Sequence, residues 1–191
     1  MYHIKNDQRA IRSSQLLYEA LANLMREKSF DTITVTDLVE TAQVGRTTFY
    51  RNFDSIEDIL HMRCDQVFDE LIDYTKSYLQ KQTSDAPVGM LKPMLRYFYL
   101  HSDIIELLMA ARCIDIIQDA FRARMESFKA ELVARQGIAE EFFDYAMAIR
   151  TGVMTNILIQ WIKTDKRQAP DDLADAVSEM FRNRVTLDQL L

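Results

Sequence analysis

Polar side chains of the kinds that proteins use to contact nucleic acid cluster within seven positions of this chain. Arginine and asparagine can bond base edges, while threonine and tyrosine hydroxyls can bond phosphate oxygens. Phe49 and Phe53, four positions apart, predict an apolar stripe on the opposite side of a short helix. A helix of this composition suits the major groove of DNA. The polar members are Arg46, Thr47, Tyr50, Arg51 and Asn52.

A second short helix is needed to hold this one in place. Thr34 is a suitable N-cap, and Asp37 three positions later predicts a capping box. After it, Gln43-Val44-Gly45 leaves room only for a turn. We therefore predict a helix-turn-helix motif at residues 33–52. Arg46 and Thr47 are expected to reach base edges, and the C-terminal members to hold phosphates. The predicted DNA contacts are Thr36, Gly45, Arg46, Thr47, Thr48, Tyr50, Arg51 and Asn52.

The charge distribution agrees with a DNA contact near the N-terminus. The 191-residue chain carries a formal charge of −6, which by itself argues against nucleic acid. Residues 1–53, however, contain seven basic and six acidic side chains, so this part carries +1 and the remainder −7. Apolar residues make up 48% of the chain, while only 4 Gly and 3 Pro interrupt it. This composition predicts an all-α fold with a substantial core.

Apolar spacing predicts helices along the whole chain after a mobile arm at residues 1–8. Ile11 and Leu16 are counted on the inward face of the first helix, and Pro93 is expected to kink a later one. Gly137 is expected to end the helix that precedes it. Outside the motif, the predicted helices are 9–28, Ile56–Gln82, Val88–His101, Ile104–Ala111, Cys113–Gln136, 139–164 and Asp171–Arg184.

The helix at residues 139–164 is apolar on two faces, and such a helix must be buried on both. One stripe contains Phe143, Met147 and Trp161; the other contains Phe142 and Ile157. One face can pack within its own domain and the other against a second chain, and Gly152 suggests a close backbone approach. We predict a homodimer in which this helix and the last one form a four-helix bundle. The predicted interface comprises Ala146, Ile149, Gly152, Val153, Ile157, Val177 and Phe181.

Nothing in the sequence predicts catalysis. It contains no glycine-rich phosphate loop and no nucleophile elbow, so we do not expect an enzyme or a cofactor. His61 and Cys64 share a helix face without further ligands, so no metal is expected. The N-terminus does not resemble a signal peptide, and no apolar run is long enough for a membrane span. With two distant cysteines, Cys64 and Cys113, we expect a cytoplasmic chain with reduced thiols.

Residues 9–60 resemble the N-terminal domain of the TetR family of bacterial transcriptional regulators. The similarity lies in Leu38-Val39, Ala42-Gln43-Val44-Gly45, Thr48-Phe49-Tyr50 and Phe53. Gln43, Gly45 and Ile56 replace the Gly, Ser and Lys that many members carry. The resemblance implies a DNA-binding domain at residues 1–55 and a regulatory and dimerisation domain at residues 56–191.

The resemblance also implies a repressor that binds a palindromic operator as a homodimer and is released by a small-molecule effector. Most of the Met and aromatic residues that could line an effector site are individually better explained as ordinary core residues. Arg112 and Arg150 need a carboxylate or an anionic ligand if they are buried. The alternative function is an all-helical interaction protein whose helix-turn-helix does not bind DNA. The candidate ligand residues are Tyr97, Phe98, His101, Met109, Arg112, Phe121, Met125, Phe143, Met147, Arg150 and Met154.

Overall fold

The computed structural model describes residues 1–4, 7–81, 90–126, 129, 133 and 139–182. In these ranges the chain folds into nine α-helices with short 3-10 turns at Phe30–Thr32 and Glu140–Phe142, which confirms the predicted all-α class. The helices are α1 (Gln8–Glu27), α2 (Val35–Ala42), α3 (Arg46–Asn52), α4 (Glu57–Gln80), α5 (Leu91–Leu100), α6 (Asp103–Ala111), α7 (Asp115–Glu126), α8 (Phe143–Lys163) and α9 (Pro170–Arg182).

The chain divides into two compact units whose boundaries fall inside helices. Unit 1 contains Met1–Phe68 and Asp103–Thr151, and unit 2 contains Asp69–Ser102 and Gly152–Leu191. Because α4 and α8 each contribute to both units, this division differs from the predicted boundary after residue 55. That boundary stays a prediction, while the helix-turn-helix segment lies entirely within unit 1.

Unit 1 is built around α1, α2 and α3 together with the beginning of α4. Leu17 and Leu21 on α1, Leu38 on α2 and Phe49 on α3 are fully buried. The prediction that Ile11 and Leu16 point inward is wrong, since they are 50% and 37% exposed. The buried stripe of α1 is centred on Leu17 and Leu21. At 100° per residue, the side chains of Ile11 and Leu16 fall outside this stripe.

Unit 2 packs α5 against α9, and Trp161 of α8 stacks on Tyr99 of α5 at a ring-centroid distance of 6.1 Å. Leu95 and Phe98 on α5, Trp161 on α8 and Ala174 on α9 are buried in it. Pro93 occupies the third position of α5, where a backbone N–H has no intrahelical partner, so the reason for the predicted kink does not apply. Among the described helices, none combines the length and the apolar composition that a membrane span requires.

Several predicted helix ends lie outside the described residues. The first residues of the predicted helix at Val88–His101, the later part of Cys113–Gln136 and the stop at Gly137 belong to this group. Within the described residues, α4 starts one position later than predicted, after a capping box. Its two bonds run from Ser55 N–H to Asp58 Oδ2 at 2.9 Å and from Asp58 N–H to Ser55 Oγ at 3.3 Å.

Candidate nucleic-acid interface

The helix-turn-helix begins with the predicted capping box. The N–H of Asp37 donates to Thr34 Oγ1 at 3.1 Å, and the N–H of Thr34 donates to Asp37 Oδ2 at 2.8 Å. Lys28 Nζ lies 2.7 Å from the same Asp37 oxygen. The Lys28 ammonium and the two Thr34 donors hold the pKa of the Asp37 carboxyl well below its ordinary value. The start of α2 is thereby fixed to the end of α1.

The turn between α2 and α3 is closed by backbone hydrogen bonds although it lacks glycine at its left-handed position. Gln43 has φ 53°. The N–H of Val44 bonds the Val39 carbonyl at 3.0 Å, and the N–H of Gln43 bonds the Glu40 carbonyl at 3.2 Å. This is a Schellman-type helix end, at which a residue with a Cβ is strained. Gly45 precedes α3 and provides no side-chain cap.

One face of α3 is anchored in the core of unit 1. Phe49 and Phe53 are completely buried, and their ring centroids lie 5.9 Å apart. The exposed ring of Tyr50 meets the edge of Phe49 at a centroid distance of 5.1 Å. This aromatic backing fixes the rotation of α3 about its axis. The predicted stripe of Phe49 and Phe53 is therefore confirmed.

The opposite face of α3 carries the polar residues that the sequence predicted to contact DNA. Arg46, Thr47 and Arg51 are exposed, and Tyr50 is 53% exposed. Thr36 on α2 and Gly45 in the turn are also exposed, while Thr48 is half-buried. Two guanidinium groups, several hydroxyl groups and the start of α3, which has no side-chain cap, thus lie on one rigid surface. We call this surface, formed by Thr36, Gly45, Arg46, Thr47, Tyr50 and Arg51, the reading face.

Asn52 does not belong to the reading face, so its predicted phosphate contact is wrong. The residue is 1% exposed, and its amide nitrogen donates to Ser13 Oγ on α1 at 3.3 Å. It lies near Phe49 around the helix axis and points inward with it. A buried amide needs a hydrogen-bond partner, which Ser13 provides. Asn52 therefore joins the end of α3 to α1.

The N-terminal segment is placed on unit 1, which corrects the predicted mobile arm for residues 1–4. Tyr2 forms an isolated antiparallel bridge with Phe53, and the His3 N–H donates to the Asn52 carbonyl at 2.8 Å. The hydroxyl of Tyr2 donates to Asp65 Oδ2 at 2.7 Å. The sequence did not predict the placement of this segment because an extended stretch this short shows no clear periodicity. The alternation of Tyr2 and Ile4 with polar residues was its only signal.

The candidate effector residues are distributed over both units. His101 and Arg112 are exposed, so Arg112 is not the buried cation that would have required a ligand. Arg112 ends α6 with φ 60°, which turns it out of the apolar helix face. Tyr97, Phe98, His101 and Met154 lie in unit 2, and the others in unit 1. The buried members are Tyr97, Phe98, Phe143 and Met147, and the half-buried ones are Met109, Phe121, Met125, Arg150 and Met154.

The two apolar stripes of α8 differ in burial. Phe143, Met147 and Trp161 on one stripe are 1–2% exposed, whereas Phe142 and Ile149 on the other are 56% and 59% exposed. Among the residues that the structure describes, a Cβ added at Gly152 would meet nothing within 4 Å, so the predicted close approach is not made by this part of the chain. Of the predicted interface residues, Ile149 and Phe181 are exposed, and the half-buried ones are Ala146, Gly152, Val153, Ile157 and Val177.

Comparison with known proteins connects these features to a family. Residues 17–62 match the model of the bacterial regulatory proteins of the tetR family. The chain is also 30% identical over 73 residues to the HTH-type dhaKLM operon transcriptional activator DhaS of Lactococcus lactis. This match covers 38% of the chain and 39% of the length of DhaS.

Two solved structures share the fold over nearly the whole chain. Lin0861 from Listeria innocua superposes with a TM-score of 0.76 at 16% identity, and 94% of each chain is covered. The fatty acid degradation regulator FadR from Bacillus halodurans superposes with a TM-score of 0.60 at 14% identity, covering 92% of this chain and 95% of FadR. The matched family consists of regulatory proteins rather than enzymes. Residues 17–62 of the chain, which contain the helix-turn-helix, are therefore similar to the tetR family of bacterial regulatory proteins.

Proposed function

We propose that the chain is a DNA-binding transcriptional regulator that reads the major groove with the reading face. The observation that carries this proposal is the contrast between the two sides of α3. Phe49 and Phe53 are completely buried, while Arg46, Thr47 and Arg51 are exposed on the other side of the helix. Specific DNA recognition needs base-reading and phosphate-binding groups held in a fixed register.

Selection from a random duplex pool with the full chain tests this proposal. We expect enrichment of one sequence, with an affinity that falls linearly as salt rises on a double-logarithmic plot. Replacing a phosphate-binding Arg51 with Ala should reduce the magnitude of this slope by about 1. An unenriched pool, with binding no tighter than that to random duplex, would favour the all-helical interaction protein instead.

A homodimer is the second part of the proposal. The outer stripe of α8 leaves Ile149 59% exposed, and Met180 and Phe181 on α9 are 61% and 52% exposed. Between α8 and α9 lies an open groove of about 720 Å³, lined by Ile157 and Val177 among others. Exposed apolar side chains beside an open groove are typical of an interface with another chain. A two-fold pair would present two reading faces to a palindromic operator.

We further propose that the chain represses transcription by occupying its operator and is released by a small-molecule effector. The relative DhaS is a transcriptional activator, so whether this chain represses or activates requires an experiment of its own. A reporter under the selected sequence should gain expression when the gene for this chain is deleted. Loss of expression on deletion would instead assign activation.

The effector part rests on the apolar side chains that α7 and α8 contribute to unit 1. Phe143 and Met147 are buried there, and Phe121 is half-buried with its ring centroid 6.3 Å from that of Phe68. A screen of apolar and anionic metabolites against the protein–DNA complex should find compounds that release DNA. Met147→Trp should fill such a site and abolish release, while Ala148→Trp, at an exposed position of α8 outside the outer stripe, should not. Release that both variants retain would place the effector elsewhere.

A further inference from the structure

The carboxylate of Asp65 on α4 is shared between two parts of unit 1. Its Oδ2 accepts the hydroxyl of Tyr2 at 2.7 Å, and its Oδ1 accepts from Arg124 Nη1 on α7. Arg124 Nη2 also donates to the Asp65 backbone carbonyl at 2.6 Å. One guanidinium therefore holds both the side chain and the main chain of Asp65. This bidentate hold leaves Oδ2 facing the N-terminal segment.

The pair between Asp65 and Arg124 is protected from water. The Arg124 side chain is 14% exposed and that of Asp65 is 28% exposed. Arg124 Nη1 additionally donates to the Ala120 carbonyl of its own helix at 3.3 Å. Hydrogen bonds between charged groups that are shielded in this way are stronger than neutral ones. The guanidinium is therefore fixed to α7 at one end and to Asp65 at the other.

The N-terminal segment, in turn, holds the end of the recognition helix α3. Tyr2 pairs with Phe53 through a backbone bridge, and the His3 N–H bonds the carbonyl of Asn52, the last residue of α3. Asn52 is buried and bonded to Ser13 on α1. A continuous series of hydrogen bonds thus leads from α7 through Arg124, Asp65 and the N-terminal segment to the C-terminal end of α3.

We propose that Asp65 is a positioning residue that makes the placement of the reading face depend on α7. When Arg124 holds the carboxylate, Tyr2 is bonded and the N-terminal segment pins the end of α3. When α7 moves and Arg124 leaves, the carboxylate, which is already 28% exposed, turns to water. The segment then loosens, and α3 loses a hydrogen bond at its C-terminal end. The predicted effect on DNA binding rests on the proposed function. The hydrogen-bonded link between α7 and residues 2–3 does not depend on that function.

Amide hydrogen exchange in the full chain tests the link without DNA. Tyr2→Phe removes one hydroxyl and keeps the ring, and Arg124→Gln removes the bidentate hold. Each should speed exchange of the His3 amide about 3–10-fold, the range that corresponds to losing one hydrogen bond. The double variant should exchange no faster than the faster single variant, because both changes break the same series of bonds. The buried Leu21 amide of α1 is the internal reference and should stay unchanged.

Arg96→Gln is the control, since it makes the same substitution at an arginine that forms a bidentate pair with Asp171 in unit 2. It should leave His3 exchange unchanged. An Arg124→Gln variant with unchanged or slower His3 exchange would overturn the proposal. Additive effects of the two changes, or equal acceleration at Leu21, would also overturn it by showing independent or general destabilisation.

Affinity for the selected DNA separates this inference from the proposed function. Both single variants should weaken binding by about 3–10-fold and the double variant by no more. If the exchange results hold but the wild type binds no DNA, the proposed function fails and the link remains. If the wild type binds DNA but the variants do not alter exchange, the link fails and the function remains.

Discussion

The helix-turn-helix and the pair α8–α9 both bury apolar side chains, but the surfaces that they expose differ in chemistry. In α3 the apolar residues Phe49 and Phe53 are completely buried, and the exposed side carries charged and hydroxyl groups. In α8 one apolar stripe is buried, but Ile149 on the other is 59% exposed. An exposed polar face suits a partner made of phosphates and base edges. An exposed apolar face needs an apolar partner, and a second copy of the chain supplies one.

Among these variants, Phe49→Ala should have the largest effect on stability. It removes a completely buried ring and leaves a cavity beneath the reading face, so it should lower the free energy of unfolding by about 3–5 kcal/mol. The neighbouring Tyr50→Ala removes a 53% exposed ring and should cost at most about 1 kcal/mol. Urea unfolding of both variants measures the difference. Equal losses would show that α3 is not anchored by its aromatic face.

Ile157→Asp tests the apolar face of α8. A carboxylate at the proposed seam would be desolvated without a partner, so the variant should be monomeric at micromolar concentration and lose operator binding. Ala148→Asp is the matched control on the same helix, at an exposed position outside the outer stripe. Sedimentation equilibrium separates the cases. A monomeric wild type, or an Ile157→Asp variant that stays dimeric, would show that the proposed interface is wrong.

Gln43→Gly should strengthen the helix-turn-helix without touching the reading face. Gln43 has φ 53°, where a residue with a Cβ costs about 1–2 kcal/mol relative to glycine. Part of this gain is lost to the greater freedom of glycine in the unfolded chain, so we expect about 1 kcal/mol of added stability. Gln43→Ala keeps the Cβ and should give no such gain. Thermal unfolding of the two variants provides the measurement.

Asp37→Asn should have the smallest effect, and that effect should depend on pH. The pKa of Asp37 is lowered from 3.8 by Lys28 and Thr34, so the ionised carboxylate stabilises the folded state. This contribution is complete at neutral pH and is lost as the pH falls below 3.8 towards the lowered pKa. Asp37→Asn should therefore lower the melting temperature at pH 7 and by a smaller amount at pH 2, where much of this contribution has been lost. An equal difference at both pH values would contradict this role.

The sequence was sufficient for the helix-turn-helix because that region depends on local rules. Thr34 and Asp37 form the predicted cap, and the four-residue spacing of Phe49 and Phe53 identifies the buried face. Asn52 was assigned wrongly because it lies between the two faces. Its inward position depends on Ser13, thirty-nine positions away on α1, which spacing along α3 does not reveal.

Contacts between distant segments limited the prediction elsewhere. The placement of Tyr2 depends on Asp65, and the hold on Asp65 depends on Arg124, so no local pattern contains that arrangement. In α8 the sequence identified two apolar stripes, but only packing shows that Phe143 is buried and Phe142 is 56% exposed. Which stripe is left uncovered depends on contacts with segments that are distant in the sequence, and the sequence of α8 alone does not contain them.

The most direct test of the central claim compares Arg46→Ala with the wild type on the selected DNA and on single-base variants of it. If Arg46 reads a guanine, the change should weaken specific binding by about 1–3 kcal/mol and relax the preference at one base pair of each half-site. Arg122→Ala removes the same charge from an exposed position on α7 and should change neither property. Unchanged affinity and unchanged sequence preference in Arg46→Ala would contradict the claim that this face of α3 reads DNA.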